Sequence, residues 1–207
     1  MAIHDYHFMN YWRVEGDIEE VADIIAEPLD MPRWWPAWCL DAKEVEKGDE
    51  QGVGRVVNIH AKGWMPYAIR WQLRVVESDR PHRYVVNVKG DLEGRGIWTF
   101  EQDGPFVNAT LDWKVRAHFA VIRYLSFLLK PLFRNNHFWA MDRGEESLRL
   151  ELARRHAASA EERARIPAPP PPTWPHRRRW EEKLRAGILD AARSATAFSV
   201  RDSAQVR

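Results

Sequence analysis

The stretch YAIRWQLRV (67–75) decides how the chain is read. Tyr67, Ile69, Trp71, Leu73 and Val75 fall on one side, and Arg70, Gln72 and Arg74 fall on the other. A period of two marks a strand with one covered face and one wet face. The pattern returns in VNATLDWKVRA (107–117), where Val107, Ala109, Leu111, Trp113 and Val115 alternate with Asn108, Thr110, Asp112, Lys114 and Arg116. Between Leu40 and His118 the turn signals KGDEQG, SDRPHR, GDLEG and QDGP separate such runs. They predict six strands, near 40–47, 53–62, 67–77, 83–90, 94–101 and 106–117, in an antiparallel sheet covered on one side.

The cover lies to either side in the sequence. YHFMNYWRVE (6–15) reads as a first strand ending at Gly16. In DIEEVADIIAEP (17–28), Asp17 suits an N-cap with Glu20 three residues on, Val21, Ile24 and Ile25 form an apolar stripe, and Pro28 stops the run. A short amphipathic helix is expected there. MPRWWPAWC (31–39) then places three tryptophans in five residues. Pro32 and Pro36 divide it into short turns, so Trp34, Trp35 and Trp38 are not expected on one helical face. Residues 120–155 read as helix, with Pro131 expected to divide an apolar first part from RNNHFWAMDRGEESLRLELARR (134–155). There Phe138, Met141, Leu148 and Leu152 share a side, and Gly144 allows close approach to the sheet.

Composition bounds the function. The 207 residues are 45% apolar and 29% charged, with a net charge of +1. Neither a polycation suited to nucleic acid nor a strongly acidic protein fits that balance. Cys39 is the one cysteine, which excludes an internal disulfide and reads best as a small buried apolar side chain in a reducing, cytoplasmic setting. No signal-peptide pattern opens the sequence, and FAVIRYLSFLLKPLF (119–133) is interrupted by charge and proline and too short to span a bilayer. The tail from His156 carries 10 Lys/Arg against 6 Asp/Glu, net +4, while the first 155 residues carry 21 against 24, net −3. Its proline run, IPAPPPPTWP (166–175), favours extended polyproline geometry, so residues 156–207 are expected to form a mobile appendage with a short helix near 179–189.

One strand, two short helical segments, six more antiparallel strands and a long C-terminal helix make a helix-grip pattern. On these elements the chain resembles the superfamily that joins START lipid-transfer domains, birch-pollen-type allergens and polyketide cyclases/dehydrases, and within it the bacterial polyketide cyclase/dehydrase-like branch. The resemblance is carried by Trp35 and Trp38, Gly52–Val53–Gly54, Trp71, GRGIWTFE (94–101), Thr110 with Trp113, and Asn136, Met141, Gly144 and Leu148. It covers residues 5–155. It implies an α+β fold in which a seven-stranded curved sheet wraps the long helix around an elongated apolar cavity, and hence a small hydrophobic ligand such as a lipid, quinone-like or polyketide-like molecule.

Eleven tryptophans, each able to bury roughly 200 Å², suit a thick core or a lined hole, and the sequence leaves both readings open. Trp71, Trp98, Phe100 and Trp113 sit on apolar strand faces, and Trp35, Trp38 and Met141 join them as candidate cavity residues. In the resembling fold the tryptophan segment lies near an end of the cavity, so Trp35 and Trp38 are expected to border that end and Trp34 to be more exposed. If the chain is a cyclase or dehydratase, its polar assistants would come from Asn58 and His60 on one strand or Asn135, Asn136 and His137 on the helix, with His60 and Asn136 the candidate catalytic pair. In GRVVNIHAK the faces of that strand are ambiguous, since both are partly apolar. No metal-ligand spacing and no nucleotide-binding loop occurs, so no cofactor is expected. HRRRW (176–180) leaves peripheral membrane contact open, and a third reading makes the Pro-rich tail a docking element for a partner.

Overall fold

The computed structural model describes residues 5–118 and 120–173, with the backbone alone over 120–130. Within these residues the order is β1 (Asp5–Glu15), α1 (Ile18–Ala26), α2 (Met31–Trp34), β2 (Cys39–Glu46), β3 (Val56–Lys62), β4 (Ala68–Asp79), β5 (Arg83–Gly90), β6 (Leu92–Asp103), β7 (Phe106–Ala117), α3 (Ala120–His156) and α4 (Ala160–Arg165). The seven strands form one antiparallel sheet in the order β1-β7-β6-β5-β4-β3-β2. Strands β2 to β7 are a meander, and β1 adds to its far edge by pairing with β7 over its whole length, Asp5 against Arg116 through Glu15 against Phe106. The curved sheet grips α3, which gives the helix-grip α+β fold.

Alternation builds the inner face. On β1, Tyr6, Phe8, Asn10, Trp12 and Val14 are buried while their neighbours are exposed. On β4, Trp71, Leu73 and Val75 point inward, and on β7 Val107, Ala109, Leu111 and Val115 do. Asp17 caps α1 as its position predicts, its carboxylate accepting the Glu19 N–H at 2.8 Å.

Three local expectations need correction. The strand expected from residue 53 starts at Val56, because the Asp49 carboxylate takes the N–H groups of Gln51 and Val53 at 3.0 and 2.8 Å and folds 49–54 into a turn. Gly52 and Gly54 turn there with φ of +84° and +88°. Pro131 does not divide the last helix, which runs from Ala120 to His156 without a break. Pro32 does not prevent a helical turn either: it occupies the first turn of α2, where its missing N–H has no intrahelical partner to lose.

Helix α3 approaches the sheet where its side chains are smallest. A Cβ on Gly144 would lie 2.5 Å from the Trp35 ring and 2.6 Å from the Trp12 ring, and one on Gly63 would lie 2.1 Å from the Asn136 amide oxygen. Beyond α3, Ser159 caps α4 through the Glu162 N–H. The Arg154 guanidinium then donates to the Pro167 carbonyl, and the Thr173 hydroxyl reaches the Trp64 carbonyl at 3.4 Å. The proline run therefore returns along the domain toward the loop between β3 and β4. The short helix expected near 179–189 and the HRRRW patch lie outside the described residues.

Gly144→Ala tests the close approach. An ordinary helical Gly→Ala change gains about 1 kcal/mol. Here the methyl group strikes two packed indoles, so urea unfolding should show a loss of about 1–3 kcal/mol. A stability equal to or above wild type would contradict this packing.

Candidate functional site

Between the sheet and α3 lies a cavity of about 160 Å³. Its long walls come from the sheet, chiefly Ile59, Ile69, Trp71, Val86, Trp98, Leu111, Trp113 and Val115, and from Phe133, Ala140 and Met141 of α3. Tyr6, Phe8 and Trp12 close it along β1.

One end is built by the tryptophan segment. Trp34 stacks on Trp35 at a centroid distance of 5.5 Å, Trp35 stacks on Trp38 at 4.6 Å, and Trp38 meets Trp71 at 5.6 Å. Trp12 presents its edge to Trp35 at 5.5 Å and tilts against Trp98 at 5.0 Å. All three segment tryptophans line the cavity. Trp34 is not the exposed one: it is 1% exposed, because the single turn of α2 directs its indole inward and leaves Arg33 at the surface.

Arg33 fixes that turn to the long helix. Its guanidinium donates to both carboxylate oxygens of Glu151, at 2.8 and 2.9 Å, and Arg155 donates to the same group at 3.0 Å. The Glu151 side chain is 4% exposed. Burial alone would raise its carboxyl, but the hydrogen bonds and charges of Arg33 and Arg155 outweigh burial and hold it below the ordinary value of 4.5.

The other end is more polar. Asn136 accepts the Met65 N–H at 3.2 Å through its amide oxygen and so ties α3 to the β3–β4 loop. Tyr67 lies against Phe133 at 6.0 Å, and burial followed by the nearby Tyr6 phenol pushes its own phenol up. His137 stacks on Phe8 at 4.1 Å and donates from Nε2 to Asn10 Oδ1 at 3.1 Å. Burial pulls this imidazole down to about 4, so it is neutral at pH 7.

Of the residues picked from sequence, Trp35, Trp38, Trp71, Trp98, Trp113, Asn136 and Met141 border the cavity. Phe100, Asn58 and His60 do not. Phe100 is 1% exposed and packs beside Trp98 in the solid core. On β3 it is Val57, Ile59 and Ala61 that turn inward, which leaves Asn58 exposed on the outer face with His60 beside it. Asn135 is exposed on α3. The Cys39 thiol is buried and pushed up to about 12 by desolvation, which makes it a packing group. Sequence reasoning assigned no face to β1 and so missed Tyr6, Phe8 and Trp12. The i, i+2 spacing of its aromatics could have found them.

The family profile described as "Polyketide cyclase / dehydrase and lipid transport" matches residues 13–149. The chain belongs to this family. Solved structures agree on the fold. A Thermus thermophilus protein aligns with a TM-score of 0.57 at 16% identity, covering 69% of this chain and 97% of that one. The Zhui aromatase/cyclase of a Streptomyces species gives 0.57 at 16% identity, covering 76% and 99%. A START superfamily protein of Mycobacterium smegmatis gives 0.55 at 10% identity, covering 70% and 96%. At such identities these likenesses speak for the fold alone. No curated protein matches the chain in sequence. Among the described residues no helix is long and apolar enough to cross a membrane.

Glu151→Gln should cost about 1–2 kcal/mol at pH 7, the value of charged hydrogen bonds discounted for the half-exposed Arg33. The wild-type carboxyl is depressed in the folded state, so its contribution is full above pH 4.5 and is lost as pH falls through the folded value. Urea melts across pH 3–7 should therefore show a flatter acid limb in the variant. Parallel profiles would contradict the clamp.

Proposed function

We propose that residues 1–155 bind a small hydrophobic molecule in the sheet–helix cavity, for transport or sequestration. One observation carries this reading: a cavity lined mainly by aromatic and aliphatic side chains lies between sheet and helix. The size is informative too, since an apolar cavity of about 150 Å³ accepts benzene. A single substituted ring fits as the walls stand, and a larger ligand requires the stacked indoles of 34–38 to move.

Family membership supports the same reading and also admits a cyclase or dehydratase. The geometry gives that second reading less support. His60 lies off the cavity, and the Asn136 oxygen is engaged by the Met65 backbone. Family membership and the cavity do not name the natural ligand. They support a compact, largely apolar molecule held between sheet and helix.

Isothermal titration with p-xylene tests the proposal. Wild-type protein should bind it with a single site, and Ala140→Leu, which extends a side chain into the space beside Met141, should weaken binding at least about tenfold while the variant still melts cooperatively in urea. No measurable binding to wild-type protein would overturn the reading.

A further inference from the structure

The inward face of β1 is apolar except at one position. Tyr6, Phe8, Trp12 and Val14 are joined there by Asn10, which is 5% exposed. A buried amide in the middle of an aromatic face calls for partners: its oxygen finds one 127 residues away in His137, and its Nδ2 has none among the described residues. The amide oxygen faces the ring, and an oxygen can only accept. With Nε2 donating to Asn10 Oδ1, the proton sits on Nε2 and Nδ1 carries a lone pair.

Nδ1 has no hydrogen-bond partner among the described residues, yet it is not one of the nitrogens sealed away from all space. His137 is one of the residues that line the cavity. The ring cannot easily turn away. Phe8 stacks on one face at an interplanar angle of 12°, and Phe138 sits edge-on at 5.6 Å. The outcome is a fixed, neutral acceptor at the edge of an apolar space.

We infer that His137 anchors the ligand through Nδ1 and that the ligand therefore carries a hydroxyl donor, a phenol, enol or alcohol, at the end facing β1 and α3. This rests on the proposed binding function. An acceptor of this kind discriminates between oxygen types, since a ketone or ether oxygen would face the imidazole lone pair while a hydroxyl completes it. The apolar body of the ligand then extends toward Trp35, Trp38 and Trp71, which border the same cavity. Asn10 acts as a positioning residue, because it holds the proton on the far nitrogen.

p-Cresol and p-xylene share a shape and differ by hydroxyl against methyl, so the pair isolates the contact. In titrations of the wild-type protein and His137→Phe, the ratio of p-cresol to p-xylene affinity should fall about threefold to tenfold in the variant. An unchanged ratio while both probes bind would overturn the anchor and leave the cavity reading standing. Failure of both probes to bind the wild-type protein would overturn both. Nitrogen-15 spectra of the wild-type histidines need no variant. His137 should show a protonated Nε2 and a bare Nδ1, with Nδ1 shifting on addition of p-cresol and not of p-xylene. A protonated Nδ1, or equal shifts with the two probes, would overturn the anchor.

Discussion

Stacked indoles hold this interior open. Trp34, Trp35, Trp38 and Trp71 touch in sequence, with Trp12 braced against Trp35 and Trp98 against Trp12. Flexible aliphatic chains around a void relax into it, but large planar rings packed against one another have only two side-chain torsions each and no small adjustment that fills the gap. The cavity thus follows from the choice of tryptophan at positions where leucine would also be buried. The same rings set the distance between sheet and helix, and Gly144 answers them on α3 by offering no side chain.

Two further ties keep the helix in place over the space. At the tryptophan end, Arg33 of α2 clamps Glu151, so that the turn carrying Trp34 and Trp35 cannot move without disturbing α3. At the polar end, Asn136 sits on Gly63 and accepts the Met65 N–H. A ligand that needs more room than one ring provides must work against one of these ties. The Arg33–Glu151 clamp is the more accessible of the two to solvent, since half of Arg33 is exposed. The proline run from 166 to 173 reaches the loop at the polar end through Thr173.

Much of the fold was legible because alternation on a sheet is a direct imprint of one buried face. YAIRWQLRV and VNATLDWKVRA announced their strands, and Asp17 and Pro28 bounded α1. What escaped was set by packing between distant segments. The two faces of β3 are both partly apolar in sequence, and only its pairing within the curved sheet puts Ile59 inside and Asn58 outside. Pro32 and Pro131 looked like breaks by local rules, yet the first sits where no N–H is needed and the second lies within one continuous helix. Trp34 was expected to be more exposed than Trp35 and Trp38, and the single turn of α2 directs it inward instead. His137 stood among the polar candidates of the last helix, but its partner Asn10 could not be named from either local pattern.

The central claim is that the cavity takes an apolar ligand between sheet and helix. Methyl-labelled protein titrated with p-xylene under nuclear Overhauser observation tests it most directly. Contacts from the probe to the methyl groups of Ile59, Ile69, Ala140 and Met141, and none to exposed Val45, are the predicted result. Contacts confined to surface methyls such as Val45, or no contacts at a saturating probe concentration, would contradict the account.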